Sequence, residues 1–497
     1  MAAESTSPSP PPAAGPQTSS AVSAQLKIRV MEARNIPKKS ANPRLYCVVE
    51  FDRNELVTKE AKISEQIFAD THGNAVVCPV WHHAATFDVS RPGSLLTITI
   101  WDRSTDNGAE GEIFMGTMKI LPTPISGKIH DSWFRLLPVV GRNKAKGELR
   151  IQLMYETIKP RSLDASTFDV LKVIGKGSFG KVYQVRKKDT GRVYAMKVLI
   201  KREIVERQEV AHTLSERNVL IRASSPFLVG LKFSFQTPDY LYLILDYING
   251  GELFYHLSKE KTFTEQRAKF YVCELVLALE HLHKDNIVYR DLKPENILLD
   301  CNGHIALTDF GLCKENISPS DTTNTFCGTA EYLAPEVLLG EGYGVAVDWW
   351  SLGILFYEMI TGLPPFYSEN VTLMYKKILH NQLLFPDGIS AEAQSLIRGL
   401  LERDPQRRLG SGPTGSDDIK NHPFFKDVDW KDVLNKNVQP PVKPNVSSET
   451  DVSNFDPLFT ETPINEMSLP HGTPLSETLQ QKFYGFSYTD ETLNEQR

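Results

Sequence analysis

The chain has 497 residues, 41% of them hydrophobic, and a net charge of −6. At about 100–200 residues per domain this leaves room for two or three domains, and the negative balance argues against a general nucleic-acid binder. The six cysteines (Cys47, Cys78, Cys273, Cys301, Cys313 and Cys327) form no C-x-x-C pair, which argues against a disulfide framework and a structural zinc site.

Residues 1–22 are rich in Ala, Ser and Pro and too poor in apolar side chains to pack, so a disordered tail is expected. They lack the apolar core of a secretory signal, and no apolar run approaches the ~18 residues of a membrane span. The expectation is a cytoplasmic protein, recruited to the plasma membrane or nucleus if at all. The texture changes over residues 23–156. The runs LKIRVMEARNI, RLYCVVEF, SLLTITIWD, FMGTMKI and GELRIQLMYE alternate apolar with polar residues between Gly, Pro and Asn turns. That pattern predicts an all-β antiparallel sandwich, and the order of its segments resembles a C2-type domain. C2 domains that bind Ca²⁺ cluster aspartates in their loops. Here Asn42-Pro43-Arg44 and Ser104 stand where such ligands would fall, so Ca²⁺ is not expected. A lipid- or protein-binding module remains, or a purely autoinhibitory one, with Lys38, Lys39 and Arg44 offered to anionic lipid. Residues 157–167 read as a linker.

Phe168 opens a second domain, residues 168–425. FDVLKVIGKGSFGKVYQVRKKDTGRVYAMKVL reads as three strands. The first turn carries Gly175-Lys176-Gly177-Ser178-Phe179-Gly180, followed by Lys181 and Val182. A dinucleotide fingerprint of this form opens a helix, whereas this loop runs into another strand and then Ala195-Met196-Lys197 in a third. Val210 to Ala223 has helical spacing and includes Glu216. Leu241 to Leu245 is a buried strand, and Ala268 to Asn286 a long packing helix.

The stretch IVYRDLKPENILLDCNGHIALTDFG, Ile287 to Gly311, follows. A hairpin with a polar turn at Asp300 to Gly303 accounts for part of it. It does not account for Asp291, Lys293, Asn296 and Asp309 together. A carboxylate to orient a nucleophile, a cation for a moving phosphate and oxygen ligands for Mg²⁺ are the parts of phosphoryl transfer. The spacing Asp-x-x-x-x-Asn, then Asp-Phe-Gly, is that of a protein kinase. Residues 426–497 are rich in Pro, Asn, Ser and Thr, yet hold Asn454-Phe455-Asp456 and Phe483-Tyr484-Gly485-Phe486-Ser487-Tyr488. An aromatic cluster in a polar tail reads as a docking segment.

With these motifs in place, residues 168–497 resemble an AGC-group serine/threonine kinase of the Akt/SGK branch. The N-terminal domain points to the fungal members acting downstream of TOR complex 2. The resemblance implies a bilobal α+β kinase fold with a C-terminal AGC tail. It makes Asp291 the catalytic base, lets Lys293 neutralise the γ-phosphate, and gives Mg²⁺ to Asn296 and Asp309. ATP would lie under the loop 175–180, with Lys197 held by Glu216, Leu245 as gatekeeper, Asp246 and Ile248 in the hinge, and Phe455 reaching in from the tail. Glu252, Glu295, Glu331 and Glu358 match positions that receive substrate arginines, and Thr329 faces the substrate. An Arg-x-Arg-x-x-Ser/Thr preference follows. Thr325 matches the activation-loop phosphosite of a PDK-type upstream kinase, with Arg290, Lys314 and His212 as partners for the phosphate. Ser487 matches the hydrophobic-motif site, and Thr473, Ser468 and Thr462 compete for the turn-motif site. Two other readings are weighed: an ATP-binding scaffold, against which Lys197, Asp291 and Asp309 argue, and a membrane binder working through residues 23–156. No nucleic-acid partner is expected, and a monomer is the default.

Overall fold

The computed structural model describes residues 24–64, 68–69, 73–89, 93–104, 112–138, 146–158, 163–177, 179–222, 224–315, 328–462 and 475–489. The expected tail at 1–22, Ser178, and the phosphosite candidates Thr325, Ser468 and Thr473 lie outside them.

The N-terminal domain packs two four-stranded antiparallel sheets. One runs Ile129–Arg135, Glu148–Thr157, Ala24–Arg34, Val80–Asp88; the other runs Asn54–Val57, Leu45–Phe51, Leu96–Asp102, Ile113–Ile120. Leu26, Ile28 and Val30 face a common core with Val49, Ile98 and Ile151, as period-two alternation requires. RLYCVVEF departs from that alternation. Tyr46 and Val48, on the face that alternation sends to solvent, are also buried. They pack with Trp101 and Phe114 against Cys301 of the second domain and Val446 of the tail. The sandwich therefore has a covered outer face, which one-sided periodicity cannot reveal.

Two of the loop residues offered to lipid, Arg44 and Lys39, are engaged by the protein itself. Arg44 makes a two-pronged pair with Glu60 at 2.7 and 3.2 Å, and Lys39 donates to the Phe114 carbonyl at 2.9 Å. Asp102, fully buried, accepts from Ser40 Oγ and from the amides of Arg44 and Ser104 at 2.7–3.0 Å.

The second domain has two lobes. The small lobe is a six-stranded sheet ordered Phe168–Gly177, Gly180–Lys187, Val193–Ile200, Tyr240–Asp246, Leu231–Gln236, Tyr488–Thr489, with the helix Val210–Arg222 beside it. Its edge strand comes from the tail: Tyr488 pairs with Ser234. The large lobe is helical. Its helix Glu265–Lys284 begins ahead of Ala268, because Thr264 caps it by accepting from the Arg267 amide. Behind it lies the helix Ala346–Thr361, nearly all of it buried. Arg408 and Glu336, each at most 1% exposed in its side chain, form a two-pronged pair at 2.7 and 2.8 Å that locks the large lobe. One core runs through both lobes and takes in Phe483 and Phe486 of the tail, both fully buried.

Candidate active site

The site forms where the large lobe's hairpin meets the small lobe's sheet. The strands Ile297–Leu299 and Ile305–Leu307 pair in the register Ile297↔Leu307, and the Thr308 amide donates to the Asn296 carbonyl at 2.9 Å. That register places Asn296 opposite Thr308, the residue directly before Asp309. Asp309 has φ 56° and Arg290 φ 69°, a left-handed backbone that residues with a Cβ seldom adopt and that clusters at functional sites.

Asp291 is buried, and three side chains fix it. Asn296 Nδ2 donates to its carboxylate at 2.8 Å and to its carbonyl at 2.9 Å, Lys293 Nζ lies 3.0 Å away, and Thr329 Oγ1 donates at 3.3 Å. Lys293 also donates to Thr329 at 3.1 Å. Both Asn296 bonds use its NH₂ group and leave its amide carbonyl oxygen for a cation. A carboxylate held this way accepts a proton from a nearby hydroxyl, while Lys293 supplies positive charge at the same point.

Lys197, on the strand Val193–Ile200, pairs with Glu216 at 2.6 Å and lies 3.6 Å from Asp309. Burial pulls its pKa down, but the Glu216 and Asp309 carboxylates outweigh burial and hold the ammonium charged. Lys197 in turn holds Asp309 below the usual carboxylate range.

The loop above is shaped for a ligand. A Cβ at Gly180 would meet the Val198 carbonyl at 1.7 Å, so that glycine is required by the fold itself. A Cβ at Gly177 would meet nothing within 4 Å, and one at Gly175 only ordinary contacts with Val182. Packing does not demand those two glycines; phosphates approaching the backbone would. Lys176 stands opposite Lys181 across the loop. Phe179 lies under the Arg207 guanidinium, 5.4 Å from the ring centre.

Ala195 pairs with Leu245 at the back of the site, and both are buried. Ile248 is buried at the hinge. Phe455 stacks on Tyr247 with ring centres 5.8 Å apart, and Tyr247 donates to the Asp451 carbonyl at 2.7 Å. The Asp246 side chain does not take part in this pocket. Its carboxylate accepts from the Gly230 amide at 2.7 Å and pairs with Lys232 at 3.3 Å, so Asp246 can serve a nucleotide only through its backbone. The alternation of the strand sends that side chain to the other side.

Residues fit for the cofactors are therefore present. Asp309 and Asn296 offer one carboxylate and one amide oxygen. That small set suits Mg²⁺, which keeps waters and takes phosphate oxygens. Among the described residues there is no cluster of three His, Cys, Asp or Glu to hold another metal. Bound Mg²⁺ would neutralise charge on the transferring phosphoryl group.

The Glu295 charge reaches both Glu252 and Glu358, and the Glu331 charge reaches Glu358. Desolvation and the Glu295 charge raise the pKa of Glu252. Burial raises Glu358 to about 7, opposed by the Tyr332 hydroxyl and reinforced by Glu295 and Glu331. Tyr332 Oη donates to Glu358. Of the expected phosphate partners, Arg290 donates to the Leu312 carbonyl at 2.6 Å and His212 pairs with Glu209. Thr462 Oγ1 donates to the Leu458 carbonyl. Ser487 is half-buried between Phe486, whose carbonyl accepts from Ser234 Oγ, and Tyr488 in the edge strand.

Sequence reasoning missed three residues. Asp348, fully buried, accepts from the amides of Tyr289 and Arg290 at 2.9 and 2.8 Å and from His283 Nε2 at 2.7 Å. It fixes the backbone entering Asp291, and a carboxylate in the first turn of an otherwise apolar helix was the available signal. Tyr247, between the hinge residues Asp246 and Ile248, and Tyr332, next to Glu331, are aromatic residues with polar tips, and neither declares its partner in sequence.

The model of the protein kinase domain family matches residues 168–425, that of the protein kinase C terminal domain 446–488, and that of the C2 domain 24–136. Serine/threonine-protein kinase gad8 of Schizosaccharomyces pombe is 53% identical over 89% of this chain and 75% of its own length. Serine/threonine-protein kinase YPK2/YKR2 of Saccharomyces cerevisiae is 47% identical over 92% and 69%. The RAC family serine/threonine-protein kinase homolog of Dictyostelium discoideum is 56% identical over 67% and 74%. With the catalytic residues assembled and these matches spanning both lobes and the tail, the chain belongs to the protein kinase family, as an AGC-type serine/threonine kinase with an N-terminal C2 domain.

Proposed function

We propose that this kinase is switched by phosphorylation and transfers phosphate from Mg²⁺·ATP to Ser or Thr in Arg-x-Arg-x-x-Ser/Thr sequences. The observation that carries the substrate preference is the group of Glu252, Glu295, Glu331 and Glu358, in which the Glu295 charge acts on both Glu252 and Glu358 and the Glu331 charge acts on Glu358. Carboxylates gathered in this way favour a guanidinium, which pairs with them through charge-assisted hydrogen bonds.

Thr325 is the proposed activation-loop site for a PDK-type kinase. Ser487 is the proposed tail site under TOR complex 2, and one of Thr462, Ser468 and Thr473 is the turn-motif site. A phosphate adds about −1.5 to −2 charge at pH 7 and draws basic groups together. The docked tail supports this reading, since Phe483 and Phe486 already fill the core shared with the helix that carries Glu216. The reading also takes the protein as a cytoplasmic monomer that the C2 domain brings to a membrane lipid or a protein partner.

The test is peptide phosphorylation by full-length protein treated with the upstream kinase, with Asp291→Ala, Thr325→Ala and Ser487→Ala alongside. Activity should vanish in the first two variants and fall in the third. A peptide with both arginines changed to glutamate should be a poor substrate; equal phosphorylation of the two peptides removes the specificity proposal.

A further inference from the structure

The N-terminal domain reaches the hinge of the catalytic domain through one tight turn. The strands Leu45–Phe51 and Asn54–Val57 pair in the register Phe51↔Asn54, leaving Asp52-Arg53 as a two-residue turn. Both have positive φ, 49° and 59°. That geometry is most readily adopted by Asn-Gly or Asp-Gly, and arginine is poorly suited to it. Residues kept in an unfavourable turn conformation point to side chains with work elsewhere.

Those side chains meet the back of the nucleotide site. The Asp52 carboxylate lies 3.1 Å from Lys232 Nζ, and Lys232 also donates to the Asp52 carbonyl. Lys232 lies between this carboxylate and that of Asp246, at 3.3 Å. The group is buried, unlike an ion pair on the surface: Asp52, Lys232 and Asp246 are 8%, 4% and 2% exposed. A cation buried to this degree depends on its partners to stay charged in place. Asp246 opens the hinge, and its carboxylate and amide bracket Gly230 at 2.7 and 3.1 Å. Arg53 Nη1 donates to the Leu228 carbonyl at 2.7 Å. The next residue, Val229, donates to the Leu307 carbonyl at 2.9 Å, two positions before Asp309.

We propose that the Asp52-Arg53 turn is a positioning element of the nucleotide site, setting the hinge from behind through Lys232 and Asp246 and the segment that bridges to Leu307 through Leu228. Its partner is this chain's own catalytic domain, and both residues act through the groups they hold. The neighbouring contacts run the same way. Asn54 Nδ2 donates to the Val193 carbonyl at the start of the Lys197 strand, and Glu55 accepts from the Cys301 amide in the large lobe. One hairpin thus touches both lobes.

The test uses full-length protein carrying Asp52→Asn with Arg53→Gly. This pair is the one the turn favours, so the hairpin keeps its fold while the hinge loses an anion and a guanidinium. KM for ATP should rise about five- to tenfold, with kcat and KM for the peptide within about twofold of wild type. Hydrogen exchange at the Gly230 and Asp246 amides should quicken about tenfold. Unchanged KM for ATP with unchanged exchange overturns the proposal, as does a uniform loss in all three kinetic parameters, which a merely structural contact would produce. If the double variant does not fold, Arg53→Gly alone relieves the turn and should still raise KM for ATP about two- to threefold; no rise there overturns the proposal equally.

Discussion

Asp348→Asn isolates the support beneath the catalytic base. The carboxylate is fully buried and accepts three hydrogen bonds, from the Tyr289 and Arg290 amides and from His283. Asparagine has one acceptor oxygen. Placed where it keeps Tyr289 and His283, it turns its NH₂ group toward the Arg290 amide and leaves that donor unpaired. An orphaned buried donor costs about 1–3 kcal/mol. The two surviving bonds lose the assistance of charge, roughly another 1–2 kcal/mol together. A total of about 2–5 kcal/mol in a domain of this size lowers Tm by about 4–20 °C. Arg290 directly precedes Asp291, so displacement there also moves the base, and kcat should fall about 10- to 100-fold. Scanning calorimetry and steady-state peptide phosphorylation read the two effects. A Tm within about 2 °C of wild type together with normal kcat would refute the reasoning.

Three further outcomes are expected. Asp309→Asn should lower kcat by about three orders of magnitude through loss of a Mg²⁺ ligand, while Tm barely moves, because Lys197 keeps Glu216 at 2.6 Å; an active variant would contradict the metal role. Glu358, raised to about 7 by burial, keeps its proton below that pH, and the carboxylate is the form that takes a guanidinium. KM for an arginine peptide should therefore climb as pH falls from 8 to 6, by about tenfold per unit at most, and Glu358→Gln should flatten that profile; an identical profile in the variant removes Glu358 from arginine binding. Arg408→Ala strands the buried Glu336 carboxylate and should cost about 3–5 kcal/mol in urea unfolding, with a loss below about 1 kcal/mol as the contrary result.

The chemistry was legible because it is local. Asp291, Lys293 and Asn296 lie within six residues of one another, and a short hairpin carries the chain from there to Asp309. Spacing of that kind fixes which groups meet almost regardless of what surrounds them. The alternating strands and the loop 175–180 were legible for the same reason, since a pleated strand repeats every two residues. Lys197 and Glu216 meet across a strand and a helix, and only the resemblance to kinases linked them in advance.

What tertiary structure decided is where buried polar groups find partners far along the chain. Asp246 reads as a hinge residue, yet its side chain belongs to a group with Lys232 and Asp52. Asp348 lies in the first turn of a largely buried helix, yet it holds the catalytic loop. Tyr46 and Val48 read as the solvent side of a strand, yet Cys301 and Val446 cover them. In each case periodicity reports that a side chain leaves one face. It carries no information about what waits on the other, because that depends on contacts separated by tens to hundreds of residues. The sequence determined the reaction and the parts that perform it; the packing of the C2 domain and tail around the two lobes decided how those parts are held.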